Sequence, residues 1–218
     1  MEEIKTKGII LSTSDYGEAD KIALVFSLEY GKISIKFNGV RKQTAKLKIL
    51  TQPFSYVELE CFKRGDYFTV KTGALIDCFP QITVKYSRTI CAYIISEIIS
   101  KILPKNKIEP EIFLCAVESF DAVEKEDEYF STIKFILRFF DLLGEKLSTD
   151  INSNHIYIDL NLGNFSSERT FNSIEIDKKC YKALSEKADT NTNKMTLKML
   201  NNIIRAKYDV EINSFSFL

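Results

Sequence analysis

The residues best suited to do chemistry are cations concentrated in one stretch of the chain. Between Glu29 and Glu58 lie 28 residues with six lysines and arginines and no acid. The six cations are Lys32, Lys36, Arg41, Lys42, Lys46 and Lys48. Cations without neighbouring acids are suited to bind the phosphates of a nucleic acid backbone. The same composition is also typical of a loop that only faces water, so charge alone leaves both interpretations open.

The side-chain groupings needed for catalysis or for metal binding are missing. His155 is the single histidine, and the five cysteines include no CxxC pair. The sequence contains no GxxxxGK[ST] phosphate-binding loop and no GxSxG nucleophile motif. A single histidine without paired cysteines does not supply the ligands of a zinc site. We therefore expect no enzymatic activity, no cofactor and no metal, and a surface or turn role for His155.

Charge is segregated although the chain is neutral overall, with 30 cations and 30 acids. Lys178–Lys207 holds eight cations and two acids, whereas Glu109–Glu128 holds eight acids and one lysine. The second basic segment could extend a phosphate-binding surface, or it could be a water-facing helix surface. The acidic segment is a possible docking surface for another protein.

Residues 1–80 show the alternation of half-buried strands. In KISIKFNG, for example, Ile33, Ile35 and Phe37 alternate with polar residues. Runs of this kind, separated by turn residues, predict five strands that close into a small barrel, because closure removes the exposed edges of so short a sheet. Six aromatic residues of this region are interpreted as core residues rather than base-stacking surfaces. They are Phe26, Phe37, Phe54, Tyr56, Tyr67 and Phe68.

Residues 81–218 change to the apolar period of 3.6 that is typical of helices. Helices are predicted for SRTICAYIISEIISKIL, for the residues after Pro110 and for EYFSTIKFILRFFDLLGEKL, which we expect at the centre of a second domain. The helical period is lost in residues 148–175, where HIYIDL and NFSSE are predicted to be short strands or irregular structure. Helix is expected again near Ile176 and in TLKMLNNIIRAKYD, after a linker at DTNTN. The prediction is an α+β protein with a barrel domain followed by a helical domain.

The cell compartment is predicted from the N-terminus and the cysteines. MEEIKTKG lacks the basic and apolar layout of a signal peptide, and the cysteine number is odd. The most apolar stretch is interrupted by Glu97 and Lys101. We expect a cytoplasmic protein without a membrane partner.

Several motifs together resemble RecO, the family of bacterial recombination-repair mediators. Three short sequences follow one another as in that family: a YGExD turn, an ExGK turn and a GxRK loop. Their residues are Tyr16, Gly17, Glu18, Asp20, Glu29, Gly31, Lys32, Gly39, Arg41 and Lys42. The QPF sequence at Gln52–Phe54, the helix end FILRFFDLLG and the closing INSFSFL are also similar to the family.

The resemblance implies an N-terminal OB-fold barrel and a helical domain without enzymatic activity. It further implies binding of single- and double-stranded DNA, annealing of complementary strands, and association with the nucleoid. The expected protein partners are RecR and the single-stranded DNA-binding protein, with which the family loads recombinase. The acidic tail of the single-stranded DNA-binding protein would need a cation beside an apolar groove. Candidates for this cation are Lys101, Lys134 and Arg138.

One feature departs from the family. Many members hold zinc with two CxxC pairs after the LLG helix, whereas the segment that follows Gly144 contains no cysteine before Cys180. We therefore expect a zinc-free insert at about 148–175. In place of the zinc, we expect a small apolar core formed by Ile156, Ile158, Leu160, Leu162 and Phe165.

Two functions from other classes remain open at this point. An OB-fold adaptor would use the acidic segment for protein-protein contact, and an RNA-binding OB protein would prefer structured RNA. For DNA binding, the expected contacts are the six cations of the first basic segment.

Overall fold

The computed structural model of the protein describes residues 2–218 and divides the chain into two compact units. The barrel unit comprises the chain up to Pro80 together with Ile98–Phe120, and the helical unit comprises Gln81–Glu97 and Asp121–Leu218. The division into domains at 1–80 and 81–218 stays a prediction. The compact units differ from it because Ile98–Phe120 belongs to the barrel unit.

The barrel consists of five strands in the order β1-β2-β3-β5-β4, closed between β4 and β1. The strands are β1 (Glu2–Tyr16), β2 (Asp20–Ser27), β3 (Gly31–Phe37), β4 (Tyr56–Arg64) and β5 (Tyr67–Asp77). Neighbouring strands are antiparallel except β3 and β5, which pair in parallel. A 3-10 helix, Lys46–Thr51, lies between β3 and β4. The prediction of a five-stranded N-terminal barrel is confirmed.

The barrel interior is filled by the alternating residues that the sequence indicated. Along β3, Ile33, Ile35 and Phe37 are buried, whereas Ser34 is exposed and Lys36 is half-buried. Equivalent positions on the other strands complete one apolar cluster, whose members include Ile10, Val25, Val57, Leu59 and Phe68. Each such side chain contributes about 1.5–3 kcal/mol through its burial, so the alternating pattern determines which face of each strand points inward.

Helical residues of the barrel unit cover part of the barrel's outer surface. Helix α2 (Tyr86–Ile102) ends in this unit and α3 (Pro110–Lys125) begins in it. Phe113 of α3 lies 5.6 Å from Phe26 of β2 between ring centroids, and Phe120 lies 5.8 Å from Phe54. Val25 points into the barrel, so Phe26, which is next to it on β2, points outward. The contact with Phe113 nevertheless helps to bury Phe26 completely.

The helical unit is built around α4 (Glu128–Leu142), as predicted. Asp127 caps this helix by accepting a hydrogen bond from the Phe130 N–H, and Phe135, Phe139 and Phe140 are buried. The unit also contains α1 (Pro80–Val84), α5 (Lys178–Lys182), α6 (Thr190–Tyr208) and a 3-10 helix at Asn213–Phe217. Among residues 2–218, no helix combines the length and the apolarity needed to cross a bilayer.

The DTNTN segment was predicted to be a linker, and this prediction is wrong. It forms the start of α6, because the Asp189 carboxylate accepts hydrogen bonds from the N–H groups of Asn191 and Thr192. A hydrogen bond from the Thr192 hydroxyl, followed by the backbone bonds, lowers the pKa of Asp189. The sequence signal was present, since aspartate is a favoured residue at the position before a helix.

The insert at about 148–175 contains a small sheet, and the predicted strand sequences HIYIDL and NFSSE each supply one of its strands. Strands β6 (Tyr157–Asp159), β7 (Asn164–Ser166) and β8 (Ser173–Glu175) form it in the order β7-β6-β8. Of the residues predicted to pack there, Ile156, Ile158 and Phe165 are buried and Leu160 is half-buried. Leu162 was assigned wrongly to this core, since it is 65% exposed on the turn between β6 and β7.

Candidate nucleic-acid interface

Five of the six predicted cations lie at one end of the barrel unit. Lys36 is the second-last residue of β3. Arg41 and Lys42 are on the loop that follows, and Lys46 and Lys48 are on the 3-10 helix. The loop is fixed on one side by the turn between β1 and β2, which supplies acids and carbonyl groups. We call this pairing of loop and turn the loop clamp; it consists of Asp15–Asp20 and Lys36–Arg41.

Asp20 is the first contact of the loop clamp. Its carboxylate accepts a hydrogen bond from the Gly39 N–H at 2.8 Å and pairs with the Lys36 ammonium at 2.9 Å. The hydrogen bond from Gly39, and then the contact with Lys36, lower the pKa of Asp20. Gly39 has a φ of +68°, a conformation that costs other residues energy, so glycine is needed to present this N–H.

Arg41 is the second contact of the loop clamp. Its guanidinium lies 3.2 Å from the Asp15 carboxylate and donates a hydrogen bond to the Gly17 carbonyl at 2.8 Å. Its backbone N–H donates to the Ala19 carbonyl at 2.9 Å. Arg41 thus holds the turn, and much of its charge is already matched by Asp15.

The remaining cations of the loop point into solvent. Lys42, Lys46 and Lys48 are exposed, and no ion pair within residues 2–218 involves any of them. Lys42 is near enough to Asp20 to contribute to the lowering of its pKa. We call Lys42, Lys46 and Lys48 the loop lysines. They are the exposed cations of the predicted interface that have no ion pair within residues 2–218.

Lys32 has to be removed from the predicted interface. It is 6% exposed, and its ammonium donates hydrogen bonds to the carbonyls of Ser100 and Leu103 at the end of α2. Burial, and then the nearby charge of Lys105, lower the pKa of this lysine. Lys32 is therefore a helix-capping residue of the barrel unit and is not available to phosphate.

The ExGK turn before Lys32 has a structural explanation as well. Gly31 has a φ of +66°, and a Cβ at this position would collide with the backbone carbonyl of Lys107. The Asn106 N–H donates a hydrogen bond to the Lys32 carbonyl at 3.1 Å. The start of β3 therefore lies directly against the segment between α2 and α3.

The exposure of one aromatic residue also differs from the sequence interpretation. Phe26, Phe37, Phe54 and Phe68 are buried as expected, whereas Tyr67 is 81% exposed at the start of β5. The alternation of β5 carries the signal that was missed. Because Phe68 and Val70 point inward, Tyr67 has to point outward.

Family models match both parts of the chain. Residues 1–79 match the model described as Recombination protein O N terminal, and residues 84–210 match Recombination protein O C terminal. The chain belongs to the RecO family. The five-stranded barrel followed by helices is the architecture that this membership implies.

Curated RecO relatives are similar to part of the chain. A protein named DNA repair protein RecO from Syntrophobacter fumaroxidans is 28% identical over 145 residues, which cover 66% of this chain and 58% of the relative. The RecO of Bacillus velezensis is 33% identical over 116 residues, covering 53% of this chain and 46% of the relative. That of Bacillus subtilis is 30% identical over 115 residues, covering 53% and 45%. The chain thus spans roughly half of the length of these relatives.

The loop clamp gives a physical reason for two RecO motifs that lie about 20 residues apart. Asp20 of the YGExD turn binds Gly39 of the GxRK loop, and Arg41 of that loop binds Gly17 of the turn. Tyr16 contributes its ring, since the Lys36 ammonium lies 5.0 Å from the ring centroid. The two motifs therefore form one structure whose exposed side carries the loop lysines.

No metal site emerges from the described part of the chain. Within residues 2–218, no group of three or more histidine, cysteine and acidic side chains is placed to hold a metal ion. His155 is exposed and contacts Glu175 at 2.7 Å. The zinc-free insert stays a prediction.

Two of the three cations suggested for an acidic RecO partner line one concavity of the helical unit. Lys134 and Arg138 of α4 lie there beside Leu137, in a depression of about 270 Å³. Lys146, Leu147 and Thr149 also line it, together with the acid Asp141, and Lys134 pairs with Glu126 at 3.1 Å. Lys101 belongs to the barrel unit.

Removing the Asp20 carboxylate should loosen the loop clamp without unfolding the RecO barrel. In Asp20→Ala the Gly39 N–H and the Lys36 ammonium both lose their acceptor. We expect trypsin to cleave after Arg41 or Lys42 several-fold faster than in the wild type, because local opening precedes cleavage. Glu18→Ala is the matched control, since Glu18 is an exposed acid of the same turn. Equal cleavage rates for the two variants would contradict the role given to Asp20.

Proposed function

We propose that this chain acts in recombinational DNA repair and binds DNA through the loop lysines of its barrel unit. The observation that carries the proposal is the presence of three exposed, unmatched lysines on a loop that the clamp holds in place. Membership of the RecO family and the names of the relatives, DNA repair protein RecO, support the repair role. Lys36 and Arg41 position the loop and add weaker positive potential. No catalytic step is part of the proposal.

Strand annealing suits this arrangement. Two complementary strands anneal when their phosphate repulsion is screened while their Watson-Crick edges remain free. The loop lysines can screen phosphates because they project from a loop and from one turn of 3-10 helix, without enclosing the strand. Phosphate contacts of this type do not depend on base sequence and serve single and double strands alike.

The proposed partners follow from the family and from the charge pattern. They are RecR and the single-stranded DNA-binding protein, with which the chain would load recombinase onto covered DNA. The concavity at Lys134 and Arg138 offers cations beside apolar side chains to an acidic tail. We place this activity in the cytoplasm, with association to the nucleoid when DNA is bound.

An adaptor that docks through the acidic segment is disfavoured by the contacts of that segment. At least six of its eight acids have partners inside their own unit. Glu124 accepts from the Gln81 N–H, Asp127 caps α4, and Glu128 is buried against Lys85 and Ser87. Glu109, Asp121 and Glu126 pair with lysines. These carboxylates stabilise the fold and leave little charge for a partner.

Binding measured as a function of salt tests the proposed function. With about three phosphates neutralised, log K for duplex DNA should fall with log salt with a slope of roughly −3, and that for single strands with a slope of roughly −2. Fluorescence anisotropy with labelled single-stranded DNA, duplex DNA and structured RNA of equal length gives the slope and the preference together. A clear preference for RNA would favour the RNA-binding alternative. Absence of binding at low salt would reject both.

A further inference from the structure

The barrel carries an exposed aromatic surface at the hairpin between β4 and β5. Tyr67 is 81% exposed there, and it follows a tight turn at Gly65, whose φ is +59°. Exposed aromatic rings on OB-fold barrels are suited to stack unpaired bases, and the hairpin between strands 4 and 5 is one of the loops that such barrels use. The loop lysines do not explain this exposure.

The Tyr67 ring lines an open concavity of about 680 Å³. Its lining consists of Phe62 and Arg64 from β4, Gly65 from the turn, and Tyr67 and Thr69 from β5. Phe62 is opposite Thr69 in the strand register, and Arg64 is opposite Tyr67. The neighbouring residues Cys61 and Phe68 are buried in the barrel interior. The side chains on the outer face of the barrel are therefore those of Phe62, Arg64, Tyr67 and Thr69.

The strand register connects this concavity to the loop clamp. Lys36 of β3 is the register partner of Thr69 of β5. Neighbouring strands lie about 4.8 Å apart, so the Lys36 backbone is one strand away from the lining of the concavity. The Lys36 ammonium itself pairs with Asp20 at 2.9 Å, so Arg64 is the cation among the residues that line the concavity.

Two acids lie near the concavity. Asp66 lies in the hairpin turn, directly before Tyr67. Glu3, whose register partner is Phe62, is paired with Lys71 at 2.8 Å. The Lys71 ammonium also lies 5.6 Å from the centroid of the Phe62 ring. The surface therefore combines an open aromatic ring with one lining cation, Arg64, which fits a base followed by its phosphate.

We propose that Tyr67 stacks an unpaired base of single-stranded DNA, with Arg64 holding a flanking phosphate. This inference rests on the proposed function and adds a selectivity to it. In a duplex each base is already stacked between its neighbours, so Tyr67 stabilises the complex with single strands only. The loop lysines serve both forms of DNA, and Tyr67 distinguishes between them.

A tryptophan at position 67 gives a direct readout of stacking, because the chain contains no tryptophan. In the full-length Tyr67→Trp variant, an oligothymidylate should quench the indole fluorescence at saturation, and a blunt duplex should quench it far less. Phe171→Trp is the matched control, since Phe171 is fully exposed in the helical unit and its indole should not respond. Equal quenching by oligothymidylate at both positions, or none at position 67, would overturn the inference.

Affinities separate this inference from the proposed function. Tyr67→Ala should lower the affinity for oligothymidylate about ten-fold, leave the affinity for duplex unchanged and leave both salt slopes unchanged, whereas Tyr67→Phe should retain wild-type affinity. If the wild type binds both DNA forms and Tyr67→Ala binds them equally well, the stacking role is wrong and the proposed function stands. If the wild type binds neither form, both proposals fail. Thermal unfolding checks that the exposed substitution leaves the fold intact.

Discussion

Replacing Lys42, Lys46 and Lys48 together by glutamate should weaken the binding of duplex DNA by about 100-fold or more at low salt. Each loop lysine that contacts a phosphate releases a counterion, and the variant loses these contacts and adds like-charge repulsion. The salt slope should therefore fall by about 3, so that little dependence on salt remains. Anisotropy titrations of wild type and variant over a range of salt concentrations measure both effects.

Three lysines of α5 provide the matched control for this change. Lys178, Lys179 and Lys182 are also exposed and clustered, and they lie in the helical unit. Their replacement by glutamate alters the net charge by the same six units. If binding depends on the loop lysines, the α5 variant should retain most of the affinity and most of the salt slope. Equal losses in the two variants would show that overall charge, rather than the loop, governs binding.

Periodicity was sufficient to predict the barrel interior. Ile33, Ile35 and Phe37 point inward because a strand with one buried face must alternate, and this rule is local. The same rule does not show which outward positions another element covers. Phe26 and Lys32 both lie on the outside of the barrel strands, yet both are buried by segments about 70 to 90 residues further along the chain.

Contacts between residues far apart in the sequence also distinguish the cations that are exposed to a ligand from those that stabilise the fold. In the sequence, Lys32, Arg41 and Lys46 are equivalent members of one basic segment. In the structure, Lys32 caps α2, Arg41 is matched by Asp15, and Lys46 is exposed. Nothing in local composition distinguishes these three environments, because each depends on a partner elsewhere in the chain. Tyr67 is the opposite case, since alternation with Phe68 and Val70 would have been enough to predict the exposure that the sequence interpretation missed.

Replacing Lys32 by alanine should lower the free energy of unfolding by about 3 kcal/mol. The last carbonyls of a helix have no partner within the helix, and the Lys32 ammonium serves two of them, those of Ser100 and Leu103. At 6% exposure, water cannot readily take its place. A cation at this end of the helix is also favoured by the helix dipole. Urea unfolding followed by circular dichroism measures the change.

Two further variants separate hydrogen bonding from packing and from general charge. Lys32→Met keeps an apolar stem of similar length but donates no hydrogen bond, so it should still lose about 2 kcal/mol. Lys105→Ala removes a neighbouring exposed lysine and should change stability by less than about 0.5 kcal/mol. Folded Lys32→Met should bind DNA with wild-type affinity, because the capping role keeps Lys32 away from phosphate. Wild-type stability in Lys32→Met, combined with weakened DNA binding, would instead return Lys32 to the interface.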